Sequence, residues 1–184
     1  TFLDVGANIG YFSILAAAAV GESGSVMAYE PDPENYRLLQ ANVELNALRP
    51  RVITTAAALS DANGEGRLYL SADNLGDHQV YAGDGERTSV PIRLVRGDHD
   101  LVRTLSRLDL VKVDTQGSEF RVISGLSLLL QKFRPRILLE LTPHSLRQAG
   151  SNGRELVEML ATVKLPMWII DHVSGGLHAT SAED

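Results

Sequence analysis

The 184 residues contain no cysteine. A disulfide framework and a thiolate metal site are excluded, and a reducing, cytoplasmic compartment fits. No apolar run approaches the roughly 20 residues that cross a bilayer, and nothing reads as a signal peptide, so no membrane partner is expected. Basic residues are too few for a nucleic-acid surface. Lys and Arg number 17 against 23 Asp and Glu, the net charge is −6, and the cations form no stripe. A nucleic-acid partner is therefore not expected. No internal repeat and no second composition are visible, and the length suits one domain spanning 1–184. Methionine is missing at the start: the chain opens at Thr1 on an apolar run. Upstream residues are expected to precede it, which leaves targeting open.

What is present starts with residues 1–10, Thr-Phe-Leu-Asp-Val-Gly-Ala-Asn-Ile-Gly, followed by an alanine-rich stretch at 11–20. An apolar run, a glycine turn and an alanine-rich run predict a buried strand, a tight loop and a helix. Gly6 and Gly10 carry no Cβ, so the backbone can turn sharply and pass close to a ligand. Such a loop lies at the carboxyl end of the first strand, where open α/β sheets place ligands. The spacing Asp4-x-Gly6-x-Asn8-x-Gly10 is not the dinucleotide pattern G-x-G-x-x-G. A carboxylate at position 4 would repel a pyrophosphate on the helix N-terminus. It suits a cationic or donating ligand, such as the amino group of S-adenosylmethionine. The alternative is that Asp4 only caps the turn.

Residues 25–30, Ser-Val-Met-Ala-Tyr-Glu, predict a second strand ending at Glu30. This acid follows the glycine loop by roughly the 20 residues at which nucleotide-binding units offer a carboxylate to ribose hydroxyls. Asp32 is then a helix cap and Pro33 a first helical residue, with Tyr36, Leu39 and Val43 at helical spacing. Residues 51–55 read as a third strand. Three strands alternating with two helices imply an α/β fold with a parallel, doubly wound sheet.

The pattern changes over 66–97. Residues 67–70 and 88–95 read as extended, the second alternating at Val90, Ile92 and Leu94. Between them, 71–87 is rich in Gly, Asp and Asn and reads as a mobile loop or lid, holding His78 and Tyr81. Residues 108–113 predict a buried strand ending at Asp114. One helix is expected from about Ser118, marked by Val122, Leu126, Leu129 and Phe133 and stopped by Pro135. A strand at 136–141 contains Glu140, and His144 falls in the loop behind it. A final helix at Leu156, Leu160 and Val163 and strands at 167–170 and 176–179 complete the reading.

Five pieces together resemble the FkbM family of S-adenosylmethionine-dependent methyltransferases. They are Asp4-Val-Gly-Ala-Asn-Ile-Gly10, Glu30-Pro-Asp-Pro, the paired Asn42 and Asn46, Ala58-Leu-Ser-Asp61, and Lys112-Val-Asp-Thr-Gln-Gly-Ser-Glu119. The resemblance runs from Phe2 to about Leu141. The first piece alone indicates a class I methyltransferase fold, and the last narrows it to this family. The resemblance implies a Rossmann-like, mostly parallel, seven-stranded sheet with helices on both faces and the last strand antiparallel. It implies methyl transfer from S-adenosylmethionine, mostly to hydroxyl oxygens of a small-molecule or glycan acceptor. Asp4, Gly6, Asn8 and Gly10 match the cofactor loop, Glu30 the ribose-binding acid, and Asp114 the acid beside the methionine end. Two departures stand out. Gly97 replaces the usual leucine, and no acid follows the third strand until Asp61, which leaves main-chain groups near Ala57 and Ala58 to hold the adenine.

An alcohol acceptor has a pKa far above neutrality and is helped by a general base. Asp114, Glu119, Glu140 and His144 are the candidates. Asp114 is also a cofactor contact, Glu119 suits a helix first turn, and Glu140 within an apolar strand is expected to pair with Lys112 on its neighbour. A metal formed by Asp114, Glu119 and Glu140 is conceivable, but no spacing requires one, and none is expected. Methylation of RNA or protein, and a non-catalytic cofactor-binding scaffold, are the competing readings.

Overall fold

In chain order the elements are β1 (Phe2–Val5), α1 (Tyr11–Ala19), β2 (Val26–Tyr29), α2 (Pro33–Leu45), β3 (Val52–Thr55), β4 (Ala58–Ser60), β5 (Gly64–Tyr69) and β6 (Ser89–Arg96). Then follow α3 (Gly97–Leu101), β7 (Leu110–Val113), α4 (Glu119–Gly125), α5 (Ser127–Phe133), β8 (Arg136–Leu139), α6 (Pro143–Gln148), α7 (Gly153–Ala161), β9 (Met167–Ile170) and β10 (Leu177–Thr180). The computed structural model describes residues 1–71, 76–82, 87–171 and 173–182.

Five strands form one parallel sheet in the order β3-β2-β1-β7-β8. The chain steps outward from β1 to β3 and then returns to the other side of β1, so β1 and β7 flank the point where the winding reverses. Register brings the strand ends level. Val5 lies opposite Tyr29 and Val113, and Val113 lies opposite Leu139. The residues just beyond these ends therefore leave the same edge.

Both faces are covered. Phe2, Val26, Ala28 and Val52 pack with Ala17, Leu39 and Val43 of α1 and α2. Leu3, Val5, Val111 and Val113 pack with Val122, Ile123, Leu129 and Leu156 on the other side. Every residue of β1 is buried, as a strand between two helical layers requires. Each of its apolar side chains, Phe2, Leu3 and Val5, contributes about 1.5–3 kcal/mol. Helix α2 begins as its sequence suggests: Asp32 accepts from the backbone N–H groups of Glu34 and Asn35, and Pro33 follows it.

Three expectations are corrected. The seven-stranded sheet is a five-stranded one, and the antiparallel strand lies outside it. β10 pairs antiparallel with β9, and the two form a separate ribbon. Trp168, Ile169 and Ile170 of β9 remain half exposed. The insertion begins at Gly64 and is part of a second sheet, β4-β6-β5, in which β4 runs parallel to β6. The single helix expected from Ser118 is broken at Leu126 into α4 and α5. The cause lies upstream. Buried Asp98 accepts from the N–H groups of Leu128 and Leu129 and from Ser127 Oγ, which gives α5 its own start. Gly125 ends α4 where a Cβ would come within 1.9 Å of the Ser60 carbonyl oxygen.

Of the loop expected at 71–87, residues 72–75 and 83–86 lie outside the described residues. Gln79 pairs with Tyr69 as an isolated antiparallel bridge. Among the described residues no helix is long and apolar enough to cross a membrane.

Candidate functional site

A cleft opens at the carboxyl edge of β1, β2 and β7. Its cavity volume is about 120 Å³. Gly6 and Asn8 line it from the first loop, Glu30 and Pro31 from the second, and Asp114, Thr115 and Gln116 from the third. Leu59 and Leu68 form an apolar wall, and His78 and Val80 reach it from the insertion.

The glycine loop is built from backbone contacts. The N–H groups of Gly6 and Ala7 both donate to the Tyr29 carbonyl, and Gly10 N–H donates to the Ala7 carbonyl. Gly6 has φ +73°, and a Cβ there would stand 1.9 Å from the Asp114 carbonyl oxygen. Only glycine lets the loops after β1 and β7 touch. Gly10 precedes α1, and Asn42 Nδ2 on α2 donates to the Ile9 carbonyl at 2.8 Å, tying the loop's far end to that helix.

Glu30 is 5% exposed. Its carboxylate accepts from Asn8 N–H at 2.7 Å and from Asp32 N–H at 2.9 Å, so it couples the first two loops. Burial pushes its pKa up to about 7, although both N–H groups favour the charged form. A carboxylate has about four acceptor positions, so each oxygen retains capacity toward a ligand.

Asp4 is fully buried and is not among the residues lining the cleft, with Oδ2 accepting from Ser13 Oγ at 2.6 Å. Lys112 Nζ lies 3.4 Å from Oδ1 and donates to the Gly6 carbonyl at 2.7 Å. The cause is register: Asp4 and Lys112 are direct neighbours on parallel strands and point to the same face. Lys112 also lies 3.7 Å from Asp114 and 5.5 Å from the centre of the Phe12 ring. The expected Lys112–Glu140 pair is thereby corrected. Glu140 sits one residue past β8, exposed, and accepts from Gln116 Nε2.

The remaining candidates separate. Thr115 N–H, Thr115 Oγ1 and Gly117 N–H all donate to the Glu119 carboxylate at 3.0–3.1 Å, closing the turn before α4. His144 lies in the first turn of α6, not in a loop, and is outside the cleft lining. Ala58 and Leu59 do line it. The sequence reading passed over Gln116 as a site residue. It has φ +51° and bridges Asp114 and Glu140, at 2.9 Å to each. Its position inside the Lys112–Glu119 segment was the available signal. Among the described residues no group of three His, Asp or Glu side chains is arranged to hold a metal.

A doubly wound α/β domain with a cleft at its winding reversal is thus defined. The chain belongs to the Methyltransferase FkbM domain family, which matches residues 4–164. It is 28% identical over 166 residues to the hexuronic acid methyltransferase AglP of Haloferax volcanii, a match covering 88% of this chain and 62% of that protein. It is also 28% identical to Methyltransferase 1 of Beauveria bassiana, with 67% of this chain and 57% of the relative covered. The crystal structure of the methyltransferase FkbM from Methylobacillus flagellatus superposes with a TM-score of 0.64. At 15% identity, over 97% of this chain and 42% of that one, it shows the shared fold. The chain spans about three fifths of the length of the curated relatives named here.

Proposed function

We propose that the cleft binds S-adenosylmethionine and that the protein methylates a hydroxyl of a small molecule or sugar. The observation that carries this reading is Glu30. A buried carboxylate, costly to ionise, is held at the mouth of a cleft where it retains acceptor capacity for a diol. The cleft residues fit the cofactor. Glu30 would take the ribose hydroxyls, Leu59, Leu68 and Pro31 offer apolar surface for the base, and Asp114 and Gln116 supply polar groups for the amino-acid end. Asp4 acts indirectly, by holding Lys112 against the Gly6 carbonyl. When bound, the cofactor supplies an electrophilic methyl group on a sulfonium; the protein contributes position and electrostatics. The likeness to a hexuronic acid methyltransferase supports a sugar-like acceptor.

Calorimetric titration with S-adenosylmethionine and S-adenosylhomocysteine tests the reading. Both should bind, and Glu30→Ala should weaken both at least about tenfold, the scale of a lost hydrogen bond to a charged group. No binding to folded protein, or equal affinity in the variant, refutes it.

A further inference from the structure

Two carboxyl groups stand just beyond the ends of adjacent strands, on the sheet edge that carries the cleft. Asp114 follows β7, Glu140 follows β8, and Gln116 Nε2 donates to Asp114 Oδ1 and to Glu140 Oε2. A single amide thus clamps both. Asp114 and Gln116 line the cleft, and Glu140, exposed and outside that lining, is tied to it through Gln116. Two carboxylates act on Glu140: Asp114 beside it, and Glu119 at the first residue of α4. Lys112 on β7 lies 3.7 Å from the far oxygen of Asp114. Of the other candidate bases, Glu119 is held by three donors and His144 lies on α6, away from the Gln116 clamp's partners.

We propose that Glu140 receives the proton of the acceptor hydroxyl, with Asp114 and Gln116 as its positioning residues. The assignment rests on the reading of the cleft as a methyl-transfer site. In the step, the O–H proton passes to the Glu140 carboxylate and the O–H electron pair becomes the new O–C bond. The methyl carbon's bond to sulfur breaks, and its pair stays on sulfur as a neutral thioether. The carboxylic acid formed is at the lip and returns its proton to water. The neighbouring Asp114 carboxyl, then partial burial, push Glu140 up to about 7, so near neutrality it is poised between acceptor and acid.

The test has two arms. The first is a carbon-13 NMR titration of protein labelled at the glutamate carboxyls, with the Glu140 signal identified by its loss in Glu140→Gln. A midpoint near 7 that falls below about 5.5 in Asp114→Asn is expected. The second arm measures methyl transfer from S-adenosylmethionine to methyl glucoside and methyl glucuronoside across pH. Glu140→Gln should bind S-adenosylhomocysteine within about threefold of wild type yet transfer at least about 100-fold more slowly, without the rise in rate near pH 7. S-adenosylhomocysteine binding with a wild-type Glu140 midpoint below about 5, or with undiminished transfer in Glu140→Gln, overturns the assignment alone. Failure of wild type to bind S-adenosylhomocysteine overturns the cleft reading itself and this assignment with it.

Discussion

Glu30→Gln is the substitution that separates the cost of the site from its use. Glu30 is 5% exposed, and burial lifts its pKa from 4.5 to about 7. Between those values the folded protein holds a proton that the unfolded chain has released. Folding stability from this group is therefore full below about pH 4.5 and declines as pH rises through about 7. Worked through the linkage relation, Glu30 removes about 2.5 kcal/mol of stability between pH 5 and pH 8. Glutamine keeps the shape and does not titrate. It presents an NH₂ to one of the two N–H donors at Asn8 and Asp32, a mismatch of about 1–3 kcal/mol that does not depend on pH.

Urea unfolding of both proteins at pH 5 and pH 8 resolves the two effects. The wild type should lose about 2.5 kcal/mol more across the interval than Glu30→Gln does. Glu140 also titrates in this window, but it is present in both proteins and cancels. Equal losses would refute the burial argument. At pH 8 the variant should also bind S-adenosylhomocysteine roughly 10- to 150-fold more weakly, the range for a hydrogen bond to a charged group. A variant that loses its pH dependence but keeps full affinity would show that the buried charge serves the loop contacts with Asn8 and Asp32 and not a diol.

Three further substitutions test the framework. Gly6→Ala should cost more than about 3 kcal/mol in thermal or urea unfolding, whereas Gly21→Ala, at a similar φ with nothing within 4 Å, should cost about 1–2; equal costs would remove the Asp114 contact from the explanation. Lys112→Met should cost about 3–5 kcal/mol in urea, because Asp4 is left buried without its cation, and the double variant Asp4→Leu, Lys112→Met should recover much of that; a single-variant loss below about 1 kcal/mol refutes the network. Asp98→Ala should cost about 1–3 kcal/mol by uncapping α5 while leaving S-adenosylhomocysteine affinity unchanged; a change in affinity would contradict its purely structural place.

The strand-end acids were legible because each closes a short apolar run, and runs of that kind become parallel strands when helices separate them. The cap at Asp32 was legible because its partners are two and three residues away. What stayed hidden depended on distance along the chain. The break at Leu126 is imposed by Asp98, about 30 residues upstream, and the local spacing of Val122, Leu126, Leu129 and Phe133 is perfectly helical. The strand count failed for a related reason. Residues 167–170 and 177–180 have strand-like sequences, but whether they join the central sheet depends on which edge they meet.

Lys112 shows why site geometry is harder to read than site membership. Its neighbours across β1 and β8 are Asp4 and Leu138, and side chains of facing residues in parallel strands share a face. Reading Glu140 as its partner put the acid two residues further along, beyond the end of β8. One register fact then reassigns three residues. Lys112 turns inward to Asp4 and the Gly6 carbonyl, so the glycine loop is fixed by a buried ion pair. Glu140 is released to the lip, where Gln116 joins it to Asp114. The role proposed for Glu140 thus rests on the same register that holds Asp4 against Lys112.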